Sequence, residues 1–367
     1  MLVNGAKGEK AILVGMKLKR EANFDFESSL QELQGLTEAA GGEVIATLVQ
    51  AQDRPNRSTY IGKGKMEELS HLVSELQADL VIFDSELSPV QLRNLEEQVE
   101  VRIIDRTMLI LDIFGQRAHS REGILQVELA QLEYRLPRLT GRGAEMSRLG
   151  GGIGTRGAGE QKLELDRRRI RNRIRDIKRQ LLKVQSTRQL HRQRRQRVGL
   201  KTISLVGYTN AGKSSLFNTL CKGSHRSGAA QVEADQRLFQ TLDTTTRKIV
   251  LPAGTEALIT DTVGFIQNLP HHLVAAFRST LEEAVDADIL LHVVDVSVPD
   301  HPDKTVVVEN VLQELGAEAE KVMTVFNKTD LLDFIPDSPK SGCFISSLTG
   351  SGIEELLVRI ETKLNQK

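Results

Sequence analysis

Short apolar runs alternate with helical patterns over the first third of the chain. The runs, typical of strands buried on both faces, are "AILVG" (11–15), "VIATLVQA" (44–51), "LVIFD" (80–84) and "VRIID" (101–105). The segments "FESSLQELQGLTEAAGG" and "SPVQLRNLEEQV" between them have the apolar spacing of helices, the first ended by glycines and the second opened by Ser-Pro. This alternation predicts a small parallel α/β domain over residues 1–112.

The hydrophobic period changes after residue 120, where apolar side chains recur every three or four positions in two stretches. Their members are Leu125, Leu129, Leu132 and Leu136 in the first stretch, and Leu163, Ile170, Ile174, Ile177, Leu181 and Val184 in the second. Two such seams predict a long antiparallel helical hairpin over residues 113–199. Its second helix, roughly 162–197, would be about 54 Å long at about 1.5 Å per residue.

The segment between these helices, residues 137–160, holds eight glycines and four arginines. Gly152, Gly154 and Gly157 spell the dinucleotide fingerprint G-x-G-x-x-G. That motif requires a preceding strand, and no apolar run precedes it, so the dinucleotide interpretation is rejected. A flexible connector remains an alternative. We favour contact with RNA phosphate, because glycine permits close approach, arginine binds phosphate and the segment is long for a connector. The candidate RNA-contact residues are Arg142, Arg148, Gly151, Gly152, Gly154 and Arg156.

The charge distribution and the cysteines narrow the class of protein. Lysine plus arginine and aspartate plus glutamate number 49 each, yet residues 160–201 contain sixteen basic and four acidic side chains. Such a block is either a solvated helix face or a contact with a polyanion. No apolar run is long enough to span a membrane. Two cysteines without metal-site spacing favour a reducing compartment, so we expect a cytoplasmic protein.

The segment "KTISLVGYTNAGKSSLFNTL" places Gly207-x4-Gly212-Lys213-Ser214 between a strand-like run and a helical pattern. This is the setting that a P-loop requires. Its backbone N–H groups would cradle phosphates, and Lys213 would reach the β and γ phosphates. Ser214 would be a ligand of Mg²⁺.

Three further motifs follow strand-like runs in the order expected of a GTP-binding domain, predicted over residues 200–367. Asp261-x-x-Gly264 would hold Mg²⁺ through water and contact the γ-phosphate through the Gly264 amide. In Asn327-Lys328-x-Asp330, the aspartate can accept from guanine N1–H and the 2-amino group, and the lysine stem can cover the base. Backbone amides of Ser346-Ser347 can reach guanine O6. The fold class is therefore α/β with a C-terminal P-loop (Ras-like) GTPase domain.

The residues expected to form the nucleotide site fall into three sets. The GTP-binding candidates are Gly207, Tyr208, Thr209, Asn210, Ala211, Gly212, Lys213, Ser214, Ser215, Phe239, Gln240, Thr241, Leu242, Asp243, Asp261, Thr262, Val263, Gly264, Asn327, Lys328, Thr329, Asp330, Ser346 and Ser347. The catalytic candidates are Lys213, Ser214, Thr241 and Gly264. The Mg²⁺ candidates are Ser214, Thr241 and Asp261.

The motifs leave two parts of the site unassigned: the threonine that binds Mg²⁺ and the group that orients the attacking water. A threonine from the loop between Cys221 and Lys248 should complete the Mg²⁺ shell, and spacing alone leaves Thr241, Thr245 and Thr246 as candidates. Ras-like GTPases orient water with a glutamine after the D-x-x-G glycine, where this chain has Phe265. Gln267 lies two residues farther on. We therefore expect slow intrinsic GTP hydrolysis, on the order of 10⁻³ s⁻¹ or less. A large partner would have to complete or order the catalytic site.

The segments "SRLGGGIGTRGAGE", "GYTNAGKSSLFNTL", "FQTLD", "DTVGF" and "NKTD" together resemble the HflX family of GTPases. The resemblance implies a ribosome-associated GTPase that binds the large ribosomal subunit and splits ribosomes, particularly stalled ones under stress. It places the hairpin tip against ribosomal RNA near the peptidyl-transferase centre. It also implies that Thr241 supplies the Mg²⁺ ligand, and we expect a monomer.

The chain departs from the family pattern in small ways. Ala158 stands where the family commonly has proline, which would loosen the turn. Ser347 stands where it commonly has alanine, and Gln240 replaces a frequent alanine. Asn210 matches relatives that use K⁺, so K⁺ dependence is a further hypothesis.

Two other functions fit the same residues. One is a large-subunit assembly factor, and the other is a GTP-dependent switch that recruits a protein partner. Some family members are associated with ATP use through the N-terminal domain, where "YIGKGKMEEL" (60–69) offers an anion site at a helix start. We favour RNA phosphate or helix capping over ATP there.

Overall fold

The computed structural model describes residues 8–18, 23–139, 158–197, 199–222, 239, 244–267, 284–334 and 342–366. The chain divides into two compact units. The first comprises Met1–Gln116 with Ile124–Leu182, and the second comprises Arg117–Gly123 with Lys183–Lys367. The division into three domains at residues 112 and 199 stays a prediction.

The first unit contains a parallel four-stranded sheet. Its elements in chain order are β1 (Lys10–Leu18), α1 (Asn23–Ala39), β2 (Glu43–Gln52), α2 (Lys63–Leu76), β3 (Leu80–Phe83), α3 (Pro89–Val99), β4 (Arg102–Asp105) and α4 (Arg106–Arg117). The strand order is β2-β1-β3-β4, and each pair is parallel. The prediction of a parallel α/β domain is confirmed.

One detail of that prediction was wrong. We expected β2 to be buried on both faces, yet it is an edge strand of which only Leu48 is buried. Its neighbour β1 and the inner strand β3 are buried along nearly their whole length. The apolar run in β2 therefore reflects the β-propensity of valine, isoleucine and threonine rather than full enclosure.

The predicted start of α3 is confirmed in atomic detail. Ser88 Oγ accepts from the N–H of Gln91, and the Gln91 side chain accepts from the N–H of Ser88. With Pro89 in the first turn, this is a capping box that satisfies two backbone donors.

Two long helices follow, α5 (Arg121–Arg138) and α6 (Ala158–Arg197). Their seam contains the predicted side chains, except that Leu163 and Val184 lie outside the cluster among the described residues. The buried members are Leu125, Leu129, Ile174 and Ile177, and the partly buried ones are Leu132, Leu136, Ile170 and Leu181. Glu122 pairs with Arg188, and Glu133, later on α5, pairs with Lys178, earlier on α6. This is the order expected of antiparallel helices.

The limits predicted for the loop between them, 137–160, were too wide at both ends. Helix α5 continues through Pro137, and α6 begins at Ala158. Pro137 lacks an N–H donor, yet the helical hydrogen bonding continues past it, since the N–H of Leu139 bonds to Arg135 O at 3.2 Å. No helix among the described residues is long and apolar enough to cross a bilayer.

A buried carboxylate fastens α5 to the sheet of the first unit. Asp105, the last residue of β4, is fully buried. It accepts from the Tyr134 hydroxyl at 2.7 Å, from Leu87 N at 3.0 Å and from Met108 N at 2.9 Å. Burial raises the pKa of Asp105, and these donors oppose the rise. Together with Arg138 Nη2, 3.4 Å from Asp105 Oδ2, these donors offset part of the cost of burying the carboxyl group.

The next residue fastens α1 to the same end of the sheet. Arg106 is buried and its guanidinium bonds to Asp84 Oδ1 at 2.8 Å and to Glu32 of α1. The other oxygen of Asp84 accepts from Ser29 Oγ at 2.7 Å. Removing one member of this network should destabilise the fold, because a charge would then stay buried without its partner.

The second unit contains a six-stranded sheet with one antiparallel edge. Its elements are β5 (Lys201–Gly207), α7 (Lys213–Lys222), β6 (Thr245–Val250), β7 (Glu256–Asp261), β8 (Ile289–Asp295), α8 (His301–Glu314), β9 (Val322–Asn327), β10 (Gly342–Phe344) and α9 (Ile353–Asn365). The strand order is β10-β9-β8-β5-β7-β6, with β6 antiparallel to β7 and the other pairs parallel. This confirms the predicted P-loop GTPase fold, and it brings the carboxyl ends of five strands to one edge.

We predict that Tyr134→Phe loosens the first unit locally. The change deletes one donor to the buried Asp105 carboxylate, which should cost about 1–3 kcal/mol. Amide hydrogen exchange should accelerate at Leu87 and Met108, whose N–H groups bond to Asp105.

The control is Tyr60→Phe, which removes a hydroxyl that donates to another hydroxyl, Ser85 Oγ, at 2.7 Å. Equal acceleration at Leu87 and Met108 in both variants would contradict a special role for the carboxylate.

Candidate nucleotide-binding site

The P-loop runs from the end of β5 to the start of α7. Lys213, the first residue of α7, is buried, and its Nζ donates to the carbonyl oxygens of Gly207 at 3.1 Å and Tyr208 at 2.8 Å. Burial lowers the pKa of Lys213 to about 8, and the Asp261 carboxylate opposes that shift. The ammonium therefore lies inside the loop curvature, where a phosphate would meet it.

Two glycines of the motifs lie so close to neighbouring atoms that a side chain would not fit. Gly212 has a φ of +89°, and a Cβ there would lie 2.3 Å from Asn327 Nδ2. A Cβ on Gly264 would lie 2.8 Å from Thr209 Cγ2 and 2.9 Å from Lys213 Nζ. These values place the D-x-x-G glycine directly against the P-loop lysine, as the motif interpretation requires.

Two of the three residues predicted to hold Mg²⁺, Ser214 and Asp261, meet at the end of β7. Ser214 Oγ donates to Asp261 Oδ2 at 2.6 Å, and Asp261 is fully buried. Thr262 Oγ1 donates to Leu205 O at 2.6 Å, which fixes the chain just after the aspartate. A hydroxyl and a carboxylate are the oxygen donors that Mg²⁺ prefers, so the chemistry of this pair fits that ion.

The segment after Gly264 is fastened to the P-loop. Phe265 N donates to Gly207 O at 3.0 Å, and Thr209 N donates to Phe265 O at 2.7 Å. Phe265 is buried, so the residue at the usual glutamine position faces the interior. Gln267 is tied through its backbone, since its N–H donates to the Tyr208 hydroxyl at 2.8 Å.

Sequence reasoning missed this role of Tyr208. The P-loop motif allows any residue at the position after its first glycine. An aromatic residue there therefore does not indicate which group it contacts. Lys304 Nζ lies 5.4 Å from the centroid of the Tyr208 ring, which is within cation–π distance.

The predicted base-reading residues also come together. Asn327 is fully buried; its Nδ2 donates to Ala211 O at 2.8 Å, and its Oδ1 accepts from Ser347 N at 2.9 Å. Asp330 Oδ1 accepts from Ser346 Oγ at 2.5 Å. The Ser346 amide donates to Ser351 O at 3.0 Å. Both serine amides thus have protein acceptors, and their contact with guanine O6 stays a prediction.

Several predicted residues lie outside the described part of the chain. They are Gln240, Thr241, Leu242 and Asp243 near the nucleotide site, and Arg142, Arg148, Gly151, Gly152, Gly154 and Arg156 in the hairpin tip. Phe239 is described and buried. The other threonine candidates, Thr245 and Thr246, lie in β6. The K⁺ hypothesis for Asn210 stays a prediction.

The fold and these motifs define a P-loop GTPase. Three family profiles match the chain in succession: "GTP-binding GTPase N-terminal" over residues 27–115, "GTP-binding GTPase Middle Region" over 117–195 and "50S ribosome-binding GTPase" over 202–328. The chain belongs to the HflX family of GTPases, enzymes that hydrolyse GTP.

Two curated relatives illustrate the membership. "GTPase HflX" of Caldanaerobacter subterraneus subsp. tengcongensis is 52% identical over 356 residues, which cover 97% of this chain and 81% of the relative. "GTPase HflX" of Escherichia coli K12 is 42% identical over 365 residues, which cover 98% of this chain and 83% of the relative.

Solved structures support the fold. The crystal structure of a GTP-binding protein from the archaeon Sulfolobus solfataricus in complex with GDP has a TM-score of 0.50 and is 22% identical, covering 98% of this chain and 99% of that one. A second structure, of SsGBP with GDP, has a TM-score of 0.53 at 23% identity with the same coverage.

We predict that Tyr208→Phe loosens the backbone at Gln267, whose N–H donates to the Tyr208 hydroxyl. The variant keeps the ring and loses the acceptor for Gln267 N–H, so amide exchange at Gln267 should accelerate about five- to tenfold, the equivalent of about 1 kcal/mol.

Lys304→Met is the matched control, because it removes the cation beside the ring and keeps the hydroxyl. Unchanged Gln267 exchange in Tyr208→Phe, or equal acceleration in Lys304→Met, would contradict the role of the hydroxyl.

Proposed function

We propose that this protein binds the large ribosomal subunit and splits stalled ribosomes, with GTP hydrolysis stimulated by the ribosome. The main support for GTP binding and hydrolysis is one observation. Lys213, Gly264 and the Ser214–Asp261 pair lie together at one edge of the sheet. The protein would act as a monomer in the cytoplasm.

In this proposal each motif has one task. Lys213 and the P-loop amides bind the β and γ phosphates, and the Gly264 amide contacts the γ-phosphate. Ser214, Asp261 and Thr241 hold Mg²⁺, which neutralises phosphate charge when bound. Asp330 and Lys328 select guanine.

Intrinsic hydrolysis is slow, on the order of 10⁻³ s⁻¹ or less, because no glutamine follows Gly264 to orient water. Phe265 is buried against the P-loop, which leaves this position without a polar group. The ribosome then supplies or orders the group that positions water.

Support for an RNA partner comes from the two kinds of basic side chain on α6. One kind flanks the apolar seam and pairs with acids of α5. Arg173 makes two hydrogen bonds to Glu128, at 2.6 and 2.7 Å, and Lys178 Nζ lies 2.8 Å from Glu133 Oε1. These side chains hold the hairpin together, and their charge is already neutralised.

The other kind forms a row on the opposite face of the helix, at spacings of three and four residues. Its members, which we call the arginine row, are Arg168, Arg171, Arg175 and Arg179, and all are exposed. Arg171 and Arg179 approach Glu164 and Asp176 only at 3.8 and 3.7 Å. Arg175 donates to Asn172, a neutral side chain.

Among the described residues, these exposed guanidinium groups have distant acidic partners or none, and arginine is well suited to binding the phosphates of a nucleic acid. A protein partner recruited by GTP would not need them. The row leads toward the arginine-rich tip, so the same helix would present basic groups to ribosomal RNA along its length.

We predict that Arg175→Gln weakens binding to large ribosomal subunits and lowers its salt dependence. Removing one phosphate contact should reduce the slope of log K against log salt by about 0.7–0.9. Arg173→Gln is the matched control on the same helix, and its slope should match wild type because Glu128 already neutralises that guanidinium.

The same preparations would be assayed for GTP hydrolysis with and without subunits. Stimulation is expected in the wild type. No stimulation, or identical salt slopes in all three proteins, would count against RNA contact and favour a protein partner.

A further inference from the structure

A carboxylate outside the nucleotide motifs holds the side chain of Lys328. Lys328 Nζ lies 2.6 Å from Asp295 Oδ2, and both side chains are mostly buried. Asp295 is the last residue of β8, and its register partner on β9 is Asn327, the residue before the lysine. The ion pair therefore joins the ends of two neighbouring strands at the base-reading edge.

Asp295 is itself fixed by its own turn. Its Oδ1 accepts from Ser297 N at 3.0 Å and from Ser297 Oγ at 2.5 Å. Val296 N donates to Asn327 O at 3.1 Å. These hydrogen bonds hold the Asp295 carboxylate in one position, independently of Lys328.

The backbone of Lys328 is fixed as well. Its φ is +65°, in the left-handed region that side-chain-bearing residues rarely adopt. Asn327 before it is clamped to the P-loop, and Thr329 N after it donates to Ile345 O at 3.2 Å. Strained backbone of this kind persists where its surroundings enforce it, and such positions concentrate at ligand sites.

We propose that Asp295 is a positioning residue that sets guanine-nucleotide affinity by holding Lys328. With the Cα and the ammonium both fixed, the four methylene groups between them retain little rotamer freedom. The base then meets a preformed apolar surface and does not have to order a flexible lysine on binding. This inference rests on the proposed function, in which Lys328 and Asp330 read the base.

The phosphate-binding residues Lys213 and Ser214 lie at the start of α7 and not at the ends of β8 and β9, so Asp295 should affect binding and not the chemical step. Loss of the carboxylate should weaken GDP and GTP alike. Such a loss of uniform binding raises KM and leaves kcat unchanged.

The first test is Asp295→Asn in the full chain, which keeps an acceptor for Ser297 and removes the charge. Affinities for fluorescent GDP and a GTP analogue should each fall about three- to tenfold, the loss expected for a partly buried ion pair. KM should rise by the same factor, with kcat within about twofold of wild type.

The matched control is Glu318→Gln. Lys321 Nζ lies 2.8 Å from Glu318 Oε1 just before β9, at the opposite end of that strand from Lys328. This variant also takes a carboxylate from a lysine, and its GDP affinity should equal that of wild type.

A double-mutant cycle separates positioning from a general structural effect. Lys328→Met keeps an unbranched stem and removes the ammonium, so Asp295→Asn should change GDP affinity by less than about 1.5-fold in that background. The same fold-change in both backgrounds, or a fall in kcat at unchanged KM, would overturn the proposal. Lys328→Met alone should weaken GDP about three- to tenfold, and an unchanged affinity would also overturn it.

Different results would refute the proposed function and the role of Asp295. A wild-type chain that binds no guanine nucleotide would refute the proposed function. A wild-type chain that binds GDP, with Asp295→Asn indistinguishable from it, would refute only the role of Asp295.

Discussion

One buried amide, the side chain of Asn327, joins the parts of the nucleotide site. It donates to Ala211 in the P-loop and accepts from Ser347 after β10, while its own backbone ends β9. Because parallel strands place their carboxyl ends at one edge, a single side chain can span three loops there. The contact also explains Gly212, since a Cβ at that position would collide with Asn327 Nδ2.

The nucleotide motifs could be located from the sequence because each is tied to a strand end. Asp261 and Asn327 were expected at the ends of strands, and they close β7 and β9. Gly264 follows β7 in the same way, and it lies beside Lys213 as expected. Spacing within a motif is a local property, and it survives any error in the details of the surrounding fold.

Contacts between motifs could not be predicted in the same way. The bond from Gln267 to the Tyr208 hydroxyl and the pairing of Asp295 with Lys328 each join residues that are far apart in the sequence. Both depend on the register of neighbouring strands. The edge position of β2 was missed for a related reason, because an apolar run does not reveal how many neighbours its strand has.

The most direct test of guanine recognition is the affinity of Asp330→Asn for GDP and for xanthosine diphosphate, measured by titration calorimetry on the full chain. Xanthine carries a carbonyl where guanine carries its 2-amino group, so an amide at position 330 can donate where the carboxylate accepts. Asp330→Asn should lose GDP affinity and gain affinity for the xanthine nucleotide, and the wild type should show the reverse preference. An unchanged preference for GDP would show that Asp330 does not read the base.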